Sequence, residues 1–125
     1  MCIRDRTWRA WVALARRTTP EMREGFLAVY GPLSLLGLLV TWVALLVAGW
    51  GLVWWGLRSA VSGVASYLDA VYFAGVGFFT VGFGDVLPTG GLARLLVLVE
   101  AFMGLVTMAL VIGYLPTLYL SLIHI

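Results

Sequence analysis

No residue between Glu24 and Arg58 carries a charge, and no other property of the chain limits its fold so severely. About 20 helical residues cross a hydrocarbon core of roughly 30 Å, so this stretch is long enough to span a membrane. A second apolar run, from Leu92 to Tyr119, is interrupted only by Arg94 and Glu100 and is long enough as well. Of the 125 residues, 62% are hydrophobic and 11% are charged, and Lys is absent. That composition is foreign to a soluble domain. The pI near 9.0 could suggest a nucleic-acid partner, but Arg9, Arg16, Arg17 and Arg23 gather just before the first span, where the positive-inside rule accounts for them. No nucleic acid is therefore expected. Two spans place both termini in the cytoplasm and the connection outside, in a multi-pass protein of the plasma membrane.

The two ends carry a different signal. "MCIRD" and "LSLIHI" can be encoded by DNA strings that are reverse complements of each other, and they resemble a sequencing-library adapter translated in both orientations. Residues 1–6 and 120–125 are accordingly expected not to belong to the natural protein. The single Cys (Cys2) and the single His (His124) lie in these ends, which leaves no basis for a disulfide, a metal cluster or a histidine switch. The natural segment then runs from Thr7 to Tyr119. Further spans or a cytosolic regulatory domain could continue it on either side.

Within residues 7–30, Trp8, Trp11, Val12 and Ala15 fall on one helical face with arginines between them. Such a helix lies either at the membrane interface or in an ordinary cytosolic linker. Thr19, Pro20 and Glu21 read as a cap, a first-turn proline and an early acid, marking a new helix that leads into the first span. In that span Gly31, Pro32, Gly37, Gly49 and Gly51 allow bends or close helix contact. Trp42, Trp50, Trp54 and Trp55 partly suit an interfacial belt.

Between the spans, Ser66 with Asp69 three residues later forms a capping-box pattern, followed by "YLDAVYFAGVGFFT" up to Thr80. About 13 residues at 1.5 Å each give a helix of about 20 Å, too short to cross. It should be re-entrant. Directly after it comes "TVGFGD", Thr80 to Asp85. Non-helical backbone at membrane depth survives only where protein encloses it or water lines it, so this stretch calls for a protein-enclosed or aqueous site.

Thr80-Val81-Gly82-Phe83-Gly84-Asp85 resembles the selectivity-filter signature of potassium channels, and the order of outer helix, short helix, loop and inner helix is similar to bacterial channels built on the two-helix pore unit. The resemblance covers the chain from about Leu33 to Tyr119. It implies an all-α membrane protein with two transmembrane helices, a re-entrant pore helix and a filter loop, assembled as a homotetramer around one pathway in the lipid bilayer. The pore domain would occupy 31–119, with outer helix 31–57, pore helix 67–79, filter 80–85 and inner helix 91–119. The carbonyls of Thr80, Val81, Gly82 and Phe83, with the Thr80 hydroxyl and with Gly84 completing the loop, would replace the water shell of K+. Gly82 and Gly84 suit this because they can take positive φ. The side chains of Val81 and Phe83 would wedge the loop against the pore helix. The permeant K+ is the only ion implied; no cofactor is expected, and no nucleophile or phosphate loop suggests an enzyme.

Phe83 stands where the family usually has Tyr, so a bracing hydroxyl is missing and packing by Tyr72, Phe73, Phe78 and Phe79 is expected to substitute. Gly75 and Gly77 weaken the pore helix by about 1 kcal/mol each relative to Ala, or admit close packing of the outer helix. Asp85 concentrates cations at the outer mouth, supports the filter by hydrogen bonding or is simply a solvated loop acid, and support is favoured. Glu100 is an ionisable group at membrane depth, functional or paired by default; it either supports the filter from behind or snorkels outward. Arg94 reads as an interfacial anchor or a partner for a nearby carboxylate. Gly104 aligns with the family's inner-helix hinge, although a lone Gly also marks helix packing. Pro116 with Gly113 should kink the helix near its cytoplasmic end, which makes Gly104, Gly113 and Pro116 the expected gate.

A potassium-selective channel is the leading expectation. A weakly selective cation channel on the same fold is the alternative, and a pore fragment of a larger potassium-uptake transporter is the third.

Overall fold

The computed structural model describes residues 3–17 and 20–124. Its helices are α1 (Ile3–Ala15), α2 (Pro20–Ala28), α3 (Tyr30–Gly56), α4 (Tyr67–Phe78) and α5 (Gly91–Ile123), with a short 3-10 turn at Arg58–Ala60. Pro20 opens α2, the position where a missing N–H costs nothing; the expected cap, Thr19, lies outside the described residues. The inner helix does not stop at Tyr119 but continues to Ile123, with Pro116 inside it.

The chain forms two units, one comprising residues 1–40 and 115–125, the other Thr41–Tyr114. In the first, Trp11 stacks on Phe26 with ring centroids 4.4 Å apart and donates its indole N–H to the Phe26 carbonyl at 3.2 Å. Trp8 meets Tyr30 edge-on at 5.0 Å. The aromatic face of α1 is thus engaged by α2 and the start of α3. Neither the interfacial nor the linker reading anticipated that partner.

Two helices are long and apolar enough to cross a membrane, Glu24–Gly56 and Gly91–Leu120, and only 6% and 11% of their most apolar windows are buried by the chain itself. Core helices of a soluble protein would be covered by their own fold. These faces need lipid or further protein around them. Helix α4, with 12 residues, rises about 18 Å and cannot span. The result is an all-α membrane fold in which two spanning helices flank a re-entrant helix and loop.

The core of the second unit is where these three helices meet: Trp54 from α3, Ala70, Phe73 and Ala74 from α4, and Ala93 from α5, with Val61 beside them. Small residues let the backbones approach. A Cβ on Gly51 would sit 2.6 Å from Cγ2 of Val71, so only glycine lets the outer helix lie this close to α4. One β element joins the helices. Val61 pairs with Pro88 and Ser62 with Leu87 in an antiparallel ribbon of two-residue strands, β1 (Val61–Ser62) and β2 (Leu87–Pro88). The Thr89 N–H, donating to the Ala60 carbonyl at 2.9 Å, extends the clasp. It ties the chain entering α4 to the chain leaving Asp85, and so fixes both ends of the re-entrant segment.

Candidate functional site

Helix α4 begins by the chemistry its sequence announces. The Ser66 Oγ accepts the Asp69 N–H at 3.3 Å, while the Asp69 carboxylate accepts the Ser66 N–H at 2.8 Å and the Ala65 N–H at 3.1 Å. These bonds satisfy backbone donors that every helix start leaves open. The Ser66 hydroxyl and the two backbone donors hold the Asp69 carboxyl below its ordinary range.

The other end is less ordinary. The Thr80 N–H donates to the Gly77 carbonyl and the Val81 N–H to the Val76 carbonyl, both at 3.0 Å. This pair of bonds defines a Schellman closure, in which the residue in Thr80's position is left-handed and usually glycine. Thr80 is left-handed, with φ +56°. For a β-branched residue that conformation is an outlier costing on the order of 1–3 kcal/mol. A glycine would take this backbone without strain but would bring no hydroxyl. Sequence reasoning did not foresee the strain at Thr80, because threonine is not a left-handed residue by preference.

From Thr80 the loop alternates. Gly82 has φ +62° and Gly84 φ +76°, as their identity suggests, while Val81 and Phe83 between them do not have positive φ. Neither helix nor strand has such a pattern. Sign changes at every residue turn successive peptide planes alike, the arrangement that a row of carbonyls facing one axis needs.

The far end of the loop is pinned back to α4. Tyr72 donates its phenol O–H to Asp85 Oδ2 at 2.9 Å, and the second carboxylate oxygen accepts the Val86 N–H at 3.1 Å. Tyr72 lies six positions before Phe78, a rise of about 9 Å, so the loop doubles back beside the helix for roughly that distance. The hydrogen bond to the Asp85 carboxylate raises the Tyr72 phenol above its ordinary value, which keeps it a donor.

The aromatic packing expected around Phe83 is not formed within the chain. Phe83 is 69% exposed. Tyr72 is turned to Asp85, Phe73 meets Trp54 edge-on at 4.9 Å, and Phe78 meets Phe79 at 5.5 Å. The physical reason is competition: the cluster of Trp54, Ala70, Ala74 and Ala93 takes Phe73, and Phe78 is fully buried at the end of α4, so neither ring is left for the loop.

Behind α4, Glu100 is fully buried, as are Trp54 and Phe78. The Trp54 indole N–H donates to Glu100 Oε2 at 2.8 Å. Trp54 read as a belt residue in the sequence; the signal for its other role was that a buried indole needs an acceptor. A Cβ on Gly77 would lie 3.0 Å from the same oxygen, so Gly77 admits the inner helix, while the outer helix meets Gly75 only at ordinary distance, through Val47 at 3.9 Å. One turn beyond Glu100, a Cβ on Gly104 would overlap the carbonyl of Phe78. Gly104 therefore serves close packing against the end of α4. At Gly113 a Cβ would meet nothing within 4 Å, and Arg94 is exposed.

A short re-entrant helix, a strained threonine and an alternating glycine loop between two spans define a pore-type membrane protein. The chain belongs to the ion channel family (Ion_trans_2), which it matches over residues 33–120. It is also similar to YdjJ of Bacillus subtilis (strain 168), described as an uncharacterized membrane protein, with 33% identity over 111 residues. That match covers 85% of this chain and 33% of the relative, so the chain spans about a third of the relative's length. No solved structure matches.

Proposed function

We propose that the chain assembles as a homotetramer in the plasma membrane, with both termini cytoplasmic, and conducts K+ passively through a pathway lined by the loop backbone. The observation that carries this reading is the alternation of positive φ at Thr80, Gly82 and Gly84 on the end of a re-entrant helix. Carbonyls of Thr80, Val81, Gly82 and Phe83 from four chains would replace the hydration shell of a cation. The Thr80 hydroxyl is the ligand that justifies a strained threonine, and Gly84 completes the turn to Asp85. Four α4 C-termini, each with about half a negative charge, favour a cation below the loop. Asp85 acts as a support through Tyr72. Val81 and Phe83, exposed in one chain, find their cover on neighbouring copies.

Gating belongs to the inner helix. Gly104 packs against the Phe78 carbonyl, and bending is assigned to it together with Gly113 and Pro116, where the helix lacks a hydrogen bond.

The lack of a hydroxyl on Phe83 favours one second reading, weak selectivity among monovalent cations. Reversal potentials of the reconstituted chain, with K+ on one side and Na+ on the other, separate the two. A potential close to that for K+ alone supports the first; one close to zero supports the second; anion current would overturn both.

A further inference from the structure

Glu100 is the one buried charged residue among the described residues, and its place is unusual. Its Oε2 accepts from Trp54 on the outer helix and lies against Gly77 on the pore helix, while Oε1 has no partner among the described residues. An orphaned, buried carboxyl oxygen is a cost that apolar packing would avoid. A leucine here would fill the space without it.

The contact also has a direction. Gly77, which Glu100 abuts, is the residue whose carbonyl receives the Thr80 N–H at 3.0 Å. Gly104, four residues on and hence on the same face of the inner helix, bears on the Phe78 carbonyl. Trp54, Glu100, Gly77 and Thr80 thus form an unbroken physical series from the outer helix to the strained residue at the base of the loop.

We propose that Glu100 is a positioning residue for the ion pathway: its carboxyl clasps the outer helix to the last turn of the pore helix and so sets how Thr80 and the loop carbonyls are presented. Trp54 is the other half of the clasp. The hydrogen-bond acceptor is what matters, since Oε2 meets a neutral indole. This inference rests on the channel reading above.

The test uses the full chain in planar bilayers, with W54F, E100L, the double variant W54F/E100L, and E100Q, which keeps shape and acceptor. The readouts are the K+ to Na+ permeability ratio and the rate of current decay under constant drive; thermal melting is recorded alongside. W54F and E100L should each change the ratio or the decay rate at least fivefold. The double variant should match the single ones instead of multiplying them, and E100Q should stay within twofold of the unaltered chain. Unchanged permeation in W54F and E100L, multiplied effects in the double variant, or E100Q behaving as E100L would each overturn the clasp. If E100L does not assemble, W54F against E100Q decides: altered permeation in W54F alone supports the clasp, and any other result overturns it. Absence of cation current from the unaltered chain would overturn the channel reading and this inference with it, whereas the other failures leave that reading standing.

Discussion

The two ends of helix α4 are built by opposite rules. At its start, Ser66 and Asp69 satisfy each other's backbone with residues that favour such a position. At its finish, the closing bonds are just as complete, yet a threonine holds the left-handed place where glycine is usual. The first end lowers the energy of the fold, and the second gives some of it up. Strain that a simple substitution could relieve marks the place where a side chain is kept for use. On the channel reading proposed above, the start of α4 serves folding and its end serves ion passage.

The largest effect should follow from breaking the finish of the helix from outside. Gly104→Ala puts a methyl group into the Phe78 carbonyl, inside the turn that the Schellman bonds from Thr80 and Val81 close. Overpacking of a close contact costs typically about 1–3 kcal/mol. A marked fall in melting temperature and loss of K+ flux from loaded vesicles are expected. Normal flux would mean that the end of α4 is far more pliable than the closure implies.

Next comes the strained residue itself. Thr80→Gly relieves the left-handed backbone and should raise stability by about 1 kcal/mol, part of the strain being offset by the freer unfolded chain. It also removes the hydroxyl, so the K+ to Na+ permeability ratio should fall. Stability and selectivity moving in opposite directions is the outcome that distinguishes a functional end from a badly capped one. If the glycine chain melts earlier, or selects as well as before, the contrast between the two ends dissolves.

A smaller change is expected from Tyr72→Phe, which removes the donor to Asp85 and leaves the ring. The outer end of the loop then loses its tie to α4 while the closure at Thr80 stays intact. Current under sustained drive should decay a few times faster, with the initial permeability ratio unaltered, as read from single-channel records.

How much of this could be read beforehand depended on the range of the forces involved. The capping box lies within four residues, and the spans follow from their charge-free lengths, so both were legible. The positive φ of Gly82 and Gly84 was legible too, because glycine advertises it. Trp54 and Glu100 lie 46 residues apart, and nothing local pairs them. Tyr72 looked like packing because an aromatic run hides the one ring whose hydroxyl meets Asp85. Gly104 carried two readings, hinge or contact, and its close approach to the Phe78 carbonyl joins two helices that nothing local in the sequence pairs.

Ser66→Ala probes the ordinary end and should do least to conduction. Losing a serine N-cap costs typically about 1 kcal/mol, visible as a modest drop in melting temperature, while the permeability ratio and current decay stay as they were. The effect should also depend on acid. Because its hydrogen bonds hold the Asp69 carboxyl below its unfolded value, the group stabilises the fold above the ordinary carboxylate range, and this contribution fades as pH falls through the lowered value. Removing the Ser66 hydroxyl removes the largest cause of that shift, so the gap between the melting temperatures of Ser66→Ala and the unaltered chain should narrow on acidification, leaving the part due to the cap bond from the Asp69 N–H. A pH-independent gap would separate the cap from the Asp69 carboxylate, and a change in selectivity would show that the start of the helix, too, serves the ion.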